Sequence, residues 1–103
     1  MFHAHERHMT EIVKAGENLF LALGFPPHEA EVFQLRADLM ARLRLWINDN
    51  HLTHDEAAGL LGLSHARVSD LVRGHWKKFT IDMLLTLAGK AGIRFKFTLD
   101  QAA

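Results

Sequence analysis

The chain has 103 residues, no cysteine and an apolar fraction of 49%, enough for one domain with a real core. The lack of cysteine excludes disulfides, thiolate zinc sites and cysteine nucleophiles, and it fits a reducing cytoplasm. Formal net charge is zero, but residues 62–80 carry Arg67, Arg73, Lys77 and Lys78 against Asp70 alone, while residues 1–40 hold six acidic residues against three basic ones; a local basic excess of that kind can engage phosphates on a neutral protein.

No apolar run approaches the roughly 18–20 residues needed to cross a bilayer. The N-terminal run MFHAHERHM lacks the apolar core of a signal peptide. The expectation is a cytoplasmic protein without a membrane segment. Residues 1–15 read as a flexible, His-rich tail, and residues 16–103 as one domain. His3, His5 and His8 are a weak chelation signal on an aperiodic stretch, so neither a metal nor another cofactor is expected. No Ser-His-Asp order or paired-carboxylate pattern is placed for catalysis, and no enzyme is expected.

The first element is GENLFLALGF, a short helix that Asn18 can cap and Gly24 can end in a left-handed conformation. Pro26-Pro27 then opens a new helix, because proline is tolerated in the first helical turn. It runs from His28 to about Asp49. Phe33, Ala37, Met40 and Ile47 form one stripe, with Val32, Leu35, Leu39, Leu43 and Trp46 beside it, so the helix should pack against several neighbours.

Thr53-His54-Asp55-Glu56 is a capping box for the next helix, which stops at Gly62. Ser64 can cap a third, ending near Arg73 and Gly74. Thr80 can cap a fourth, ending near Ala91 and Gly92, with Phe79 and Leu84 placed as a hydrophobic staple. In IRFKFTL, Ile93, Phe95, Phe97 and Leu99 alternate with Arg94, Lys96 and Thr98. That is the pattern of a half-buried strand, which needs a partner. Trp46 reads as core; Trp76, in the basic loop, is more open to stacking on bases.

The informative stretch is LTHDEAAGLLGLSHARVSDLVRG. Two short helices meet at a tight turn. Ala58 suits their close approach, Gly62 the turn conformation. Ala57, Leu61, Leu63, Val68 and Leu71 face inward. Ser64 caps the second helix, whose N-terminal end can enter a DNA major groove.

This stretch resembles the helix-turn-helix of lambda-repressor-like (Cro, or xenobiotic-response-element) regulators. The flanking GENLFLALGFPPHEAEVFQLRADLMARL and KKFTIDMLLTLAGKAGIRFKF resemble the branch of HigA-type antitoxins and related phage-borne regulators. The resemblance covers roughly residues 16–99. It implies an all-α, lambda-repressor-like bundle of about five helices, here with one C-terminal β-strand. The family usually has glutamine where this chain has His54 and His65. The first of those commonly bonds a phosphate and the second commonly reads a base, so the family's base preference does not transfer.

Helix geometry assigns roles. Thr53 and His54 should meet phosphate. Ser64, His65, Ala66, Ser69 and Asp70 lie on the groove-facing helix. An imidazole can donate to guanine or accept from adenine, and Ala66 can touch a thymine methyl. Asp70 can accept from cytosine, or equally bond Arg67 or Arg73 along the helix. Arg67 can reach a base or a phosphate, while Arg73, His75, Lys77 and Lys78 suit the DNA backbone.

Two functions fit. One is an antitoxin that binds a RelE/HigB-like toxin and represses its own operon; the acidic N-terminal part, with Ile12, Leu19, Phe20 and Leu23 at helical spacing, suits a basic toxin. The other is a stand-alone repressor. Either should bind double-stranded DNA as a homodimer, with Ile93, Phe95, Phe97 and Leu99 pairing two copies, unless that strand pairs with a toxin instead.

Overall fold

The computed structural model describes residues 18–98. The tail assigned to residues 1–15, including His3, His5 and His8, lies outside them, as does Leu99. Five α-helices follow one another: α1 (Leu19–Ala22), α2 (Pro27–Asp49), α3 (His54–Leu61), α4 (His65–Val72) and α5 (Ile81–Lys90). A single 3-10 turn, Trp76–Lys78, joins α4 to α5.

Each helix start has a local chemical cause. Asn18 accepts from the Phe20 and Leu21 amides at 2.8 and 3.1 Å, and its Nδ2 donates to the Ala30 carbonyl, tying α1 to α2. Pro27 opens α2, where its missing N–H costs nothing. Thr53 and Glu56 form the reciprocal capping box of α3. Ser64 and Thr80 cap α4 and α5 through the amides of Arg67 and Met83.

Four of the five helix ends are followed by a left-handed glycine; α2 instead ends at the cap residue Asn50, with His51 at φ +53°. Gly62 sits at φ +71° after α3. After α4, Gly74 (φ +77°) donates to the Leu71 carbonyl and His75 to that of Asp70. This is the paired bonding of a Schellman motif, which satisfies the last free carbonyls.

The long helix α2 is the spine. It packs against α1, α4, α5 and the 3-10 turn, while α3 packs on α4 and α5. Leu39, Met40, Leu43 and Ile47 of α2 meet Ala57, Ala58 and Leu61 of α3, Val68 and Leu71 of α4, and Phe79, Leu84 and Leu87 in one core. Full burial of each such leucine contributes about 1.5–3 kcal/mol over leaving it exposed. The stripe expected on α2 holds for its C-terminal half. Nearer its start Ala30 is fully buried, whereas Val32 is exposed.

A second cluster is aromatic. Trp76 stands 4.5 Å from Phe33 and 5.0 Å from Phe20 between ring centroids, and Phe25 packs edge-on against both phenylalanines. It pins α1 and the start of α2 to the basic turn. Trp76 is therefore half-buried packing, with Lys77 Nζ over the ring at 5.5 Å.

The C-terminal strand is not seen. Residues 93–98 form no ladder among the described residues. The alternation survives in burial: Ile93 and Phe95 lie half-buried against the core while Arg94 and Lys96 are exposed. A strand is defined by bonds to a neighbour, and no other described segment of this chain runs extended beside it. Phe97, expected on the buried face, is 53% exposed.

Gly62 yields a test of the helix-turn-helix geometry. A Cβ there would meet only the end of the Lys90 side chain, at 3.0 Å, which can move. The cost of Gly62→Ala should therefore come from the left-handed backbone, about 1–2 kcal/mol. Gly62→Asn should cost less than Gly62→Ala in urea unfolding, because asparagine tolerates that conformation. Equal losses would mean a steric clash, not backbone strain, governs the turn.

Candidate nucleic-acid interface

The turn between α3 and α4 sets two helix N-termini side by side. His54 is the first residue of α3 and His65 the first of α4, and their rings lie 5.2 Å apart. Both termini are capped by hydroxyls, Thr53 Oγ1 and Ser64 Oγ, and both cap residues are exposed. Each oxygen accepts one backbone N–H and keeps its own proton free to donate. Helix N-termini carry partial positive charge and unpaired amides, the arrangement that receives phosphate oxygens.

His65 and Ala66 project from the start of α4 and are exposed. The His65 ring is not unattached: its Nδ1 is 2.7 Å from Asp55 Oδ1 across the turn. Ser69, one helical turn further, is half-buried. On the opposite face Val68 and Leu71 have no exposed surface. The helix is thus sharply two-sided, with apolar residues buried and short polar side chains outward.

Arg67 and Asp70 turn towards the 76–79 segment. The Arg67 guanidinium lies over the Phe79 ring at 4.2 Å and donates through one Nη to the Lys78 carbonyl at 3.0 Å. Its other Nη is 3.9 Å from Asp70. Asp70 accepts from His75 Nδ1 at 3.1 Å and from Lys78 Nζ at 3.4 Å. Of the two helical partners considered for Asp70, the structure supplies Arg67.

These contacts couple the basic turn to α4. Arg73, Lys77 and Lys78 are exposed beyond it, and Gly74 lets Arg44 approach, since a Cβ there would sit 3.2 Å from its guanidinium. Lys90 Nζ donates to the Leu61 carbonyl at 3.3 Å, closing α5 onto the end of α3.

Two features escaped sequence reasoning. Asp55 was read only within a capping box, and nothing in spacing alone pairs it with a histidine ten residues on. The Arg67–Phe79 stack was equally hidden, because it depends on how the chain turns at Gly74. Among the described residues, no group of three His, Cys, Asp or Glu side chains is placed to hold a metal ion, and no helix is long and apolar enough to cross a membrane.

The hydrogen bond from His75 holds the Asp70 carboxyl below the usual carboxylate range; partial burial opposes the shift, and Lys78 adds a bond and a charge. A carboxylate with a lowered folded-state value stabilises the fold above its unfolded value, about 3.9, and that contribution is lost as pH falls through the lower folded value. The stability difference between the native chain and Asp70→Asn should therefore shrink as pH drops below about 4, read from urea midpoints. A difference that persists unchanged at pH about 2 would mean Asp70 acts by packing instead.

In comparison with known families, the model described as "Helix-turn-helix domain" matches residues 23–98. That span holds α2 to α5 and the C-terminal segment. No curated protein matches the chain, and no solved structure does. The match covers well over half of the sequence and includes both the capped helix pair and its supporting core, so this chain belongs to the helix-turn-helix domain family of the lambda-repressor, xenobiotic-response-element kind.

Proposed function

We propose that this protein is a transcriptional repressor that binds its operator as a homodimer, and that it is the antitoxin of a toxin-antitoxin pair acting on its own operon. The observation that carries DNA binding is the pair of adjoining, capped, outward-facing N-termini of α3 and α4. In this reading Thr53, His54 and Ser64 meet phosphates. His65 and Ala66 reach base edges, and Ser69 lies behind them. Arg73, Lys77 and Lys78 follow the backbone. Arg67 and Asp70 position the basic turn more than they read bases: one Arg67 Nη bonds the Lys78 carbonyl, and Asp70 Oδ1 accepts from His75 and Lys78.

The antitoxin role is supported by a separate surface. Leu19, Leu21, Leu23 and Val32 are exposed at the N-terminal end of the fold, beside Glu29 and Glu31. An apolar patch with acidic neighbours suits a basic protein such as a RelE/HigB-like toxin. The reading of a stand-alone repressor has its own support: Phe20 buries α1 in the aromatic cluster, so α1 has an intramolecular role without any toxin. A small basic reading frame adjacent to this one, whose product binds the chain, decides between them.

Phosphate contacts make affinity depend on salt. The logarithm of the binding constant should fall with log salt by about 0.9 per neutralised phosphate. Lys77→Ala should weaken operator and random duplex alike and reduce that slope by about one. Fluorescence anisotropy across a salt series measures both. A salt-independent affinity would sink the assignment of the basic turn.

Dimerisation rests on the unpaired C-terminal segment. Phe97 is exposed and its ring stacks 6.3 Å from that of Phe95. Antiparallel pairing of residues 93–99, Ile93, Phe95, Phe97 and Leu99 included, between two copies would supply the missing ladder and is itself two-fold symmetric. The full-length chain should sediment as a dimer, and Phe97→Asp should sediment as a monomer that binds operator weakly. A wild-type monomer at tens of micromolar would transfer that edge to another partner.

A further inference from the structure

We propose that Asp55 selects the base read by His65: it holds the imidazole in the tautomer whose Nε2 is an acceptor, so the ring prefers a base edge that offers an amino group. This rests on the reading of α4 as the groove-facing helix. The observation beneath it is the 2.7 Å contact between His65 Nδ1 and Asp55 Oδ1. An ionised carboxylate only accepts, so the shared proton resides on Nδ1. In the neutral ring Nε2 then carries a lone pair.

Nε2 therefore seeks a donor. In the major groove the donors are adenine N6 and cytosine N4; guanine offers only acceptors, and thymine an acceptor and a methyl. Without Asp55 the ring is free to present an N–H at Nε2, and the preference would shift towards guanine. The His54 ring, 5.2 Å away, limits how far the imidazole can swing.

The pair is not required by the fold. The N-terminus of α3 is already satisfied by Thr53 and Glu56, and that of α4 by Ser64. The two side chains are 83% and 61% exposed, where an ion pair adds little stability. Asp55 is also favoured by the dipole of α3, but that role concerns stability alone and leaves the His65 tautomer untouched.

Long-range proton–nitrogen NMR on the full-length chain, at pH about 8 where an ordinary histidine is neutral, reads the tautomer directly. We expect the Nδ1–H form at His65, giving way to the mixture of free imidazole in Asp55→Ala. Identical tautomers in the two proteins would overturn the proposal. Selection from a random duplex pool then tests the consequence. The position read by His65 is the one that becomes degenerate in His65→Ala. The native chain should prefer one base pair there, with discrimination falling on the order of fivefold in Asp55→Ala and partly recovered in Asp55→Asn, which keeps an acceptor oxygen. An unchanged preference in Asp55→Ala would overturn it. Failure to enrich any duplex would count against DNA binding itself, and the tautomer measurement would still decide the role of Asp55.

Discussion

Two helix N-termini must sit side by side, facing outward, on a surface that is otherwise packed. Everything else in this small fold serves that constraint. The left-handed conformation of Gly62 reverses the chain within three residues. Ala57 and Ala58 then let α3 lie close to its neighbours, and both are buried. A larger side chain at either position would push α3 off the core and separate His54 from His65. The long helix α2 provides the floor beneath both, through Leu39, Leu43 and Ile47. Core rigidity thus becomes positional precision at the two capped termini, because close-packed interiors transmit rather than absorb displacement.

The second support runs through charges and rings instead of aliphatic packing. The 3-10 turn that carries Lys77 and Lys78 packs against α2. It is fastened from both sides. Arg67 stacks on Phe79 and bonds the Lys78 carbonyl, Asp70 gathers His75 and Lys78, and Trp76 packs against both Phe20 and Phe33. Exposed ion pairs alone would contribute little. Here the partly buried guanidinium is held by a buried ring and a carbonyl as well as by a carboxylate, so orientation follows from geometry. The result is a cationic turn held in one place beside the end of α4, not a mobile basic loop.

The caps were legible in the sequence because their chemistry is local. Asn18, Thr53, Ser64 and Thr80 each satisfy amides two or three residues ahead, and the glycines that close every helix but α2 stand within two residues of its end. The inward set of α3 and α4 was legible for the same reason: period 3.6 shows which residues share a face. Contacts that close over ten or more residues through a turn were not. The Arg67–Lys78 and His65–Asp55 pairs depend on how Gly74 and Gly62 redirect the chain, and single-residue properties carry no trace of that. Trp76 looked available to a nucleic acid because its neighbours are basic; its aromatic partners lie more than forty residues earlier. Alternation in 93–99 correctly marked which side chains turn to the core at Ile93 and Phe95. It could not supply the second strand that would make the segment a sheet.

Those same pairings divide the polar residues of the interface into two groups with different physical duties. Arg67 and Asp70 each hold contacts within the chain that fasten the turn, so swinging either towards a base would loosen it. Ser64, His65 and Ala66 carry no such commitment on their outward side. His65 is engaged at Nδ1 by Asp55, which under the proposal leaves Nε2 an acceptor. A reading head is more selective when its donor and acceptor pattern is set before the ligand arrives, since a ring that can change tautomer accommodates either kind of base edge. On this fold that definition comes from a carboxylate on the neighbouring helix. In the proposed reading the helix pair is therefore more than a way to insert one helix into a groove: α3 supplies the chemistry that α4 presents.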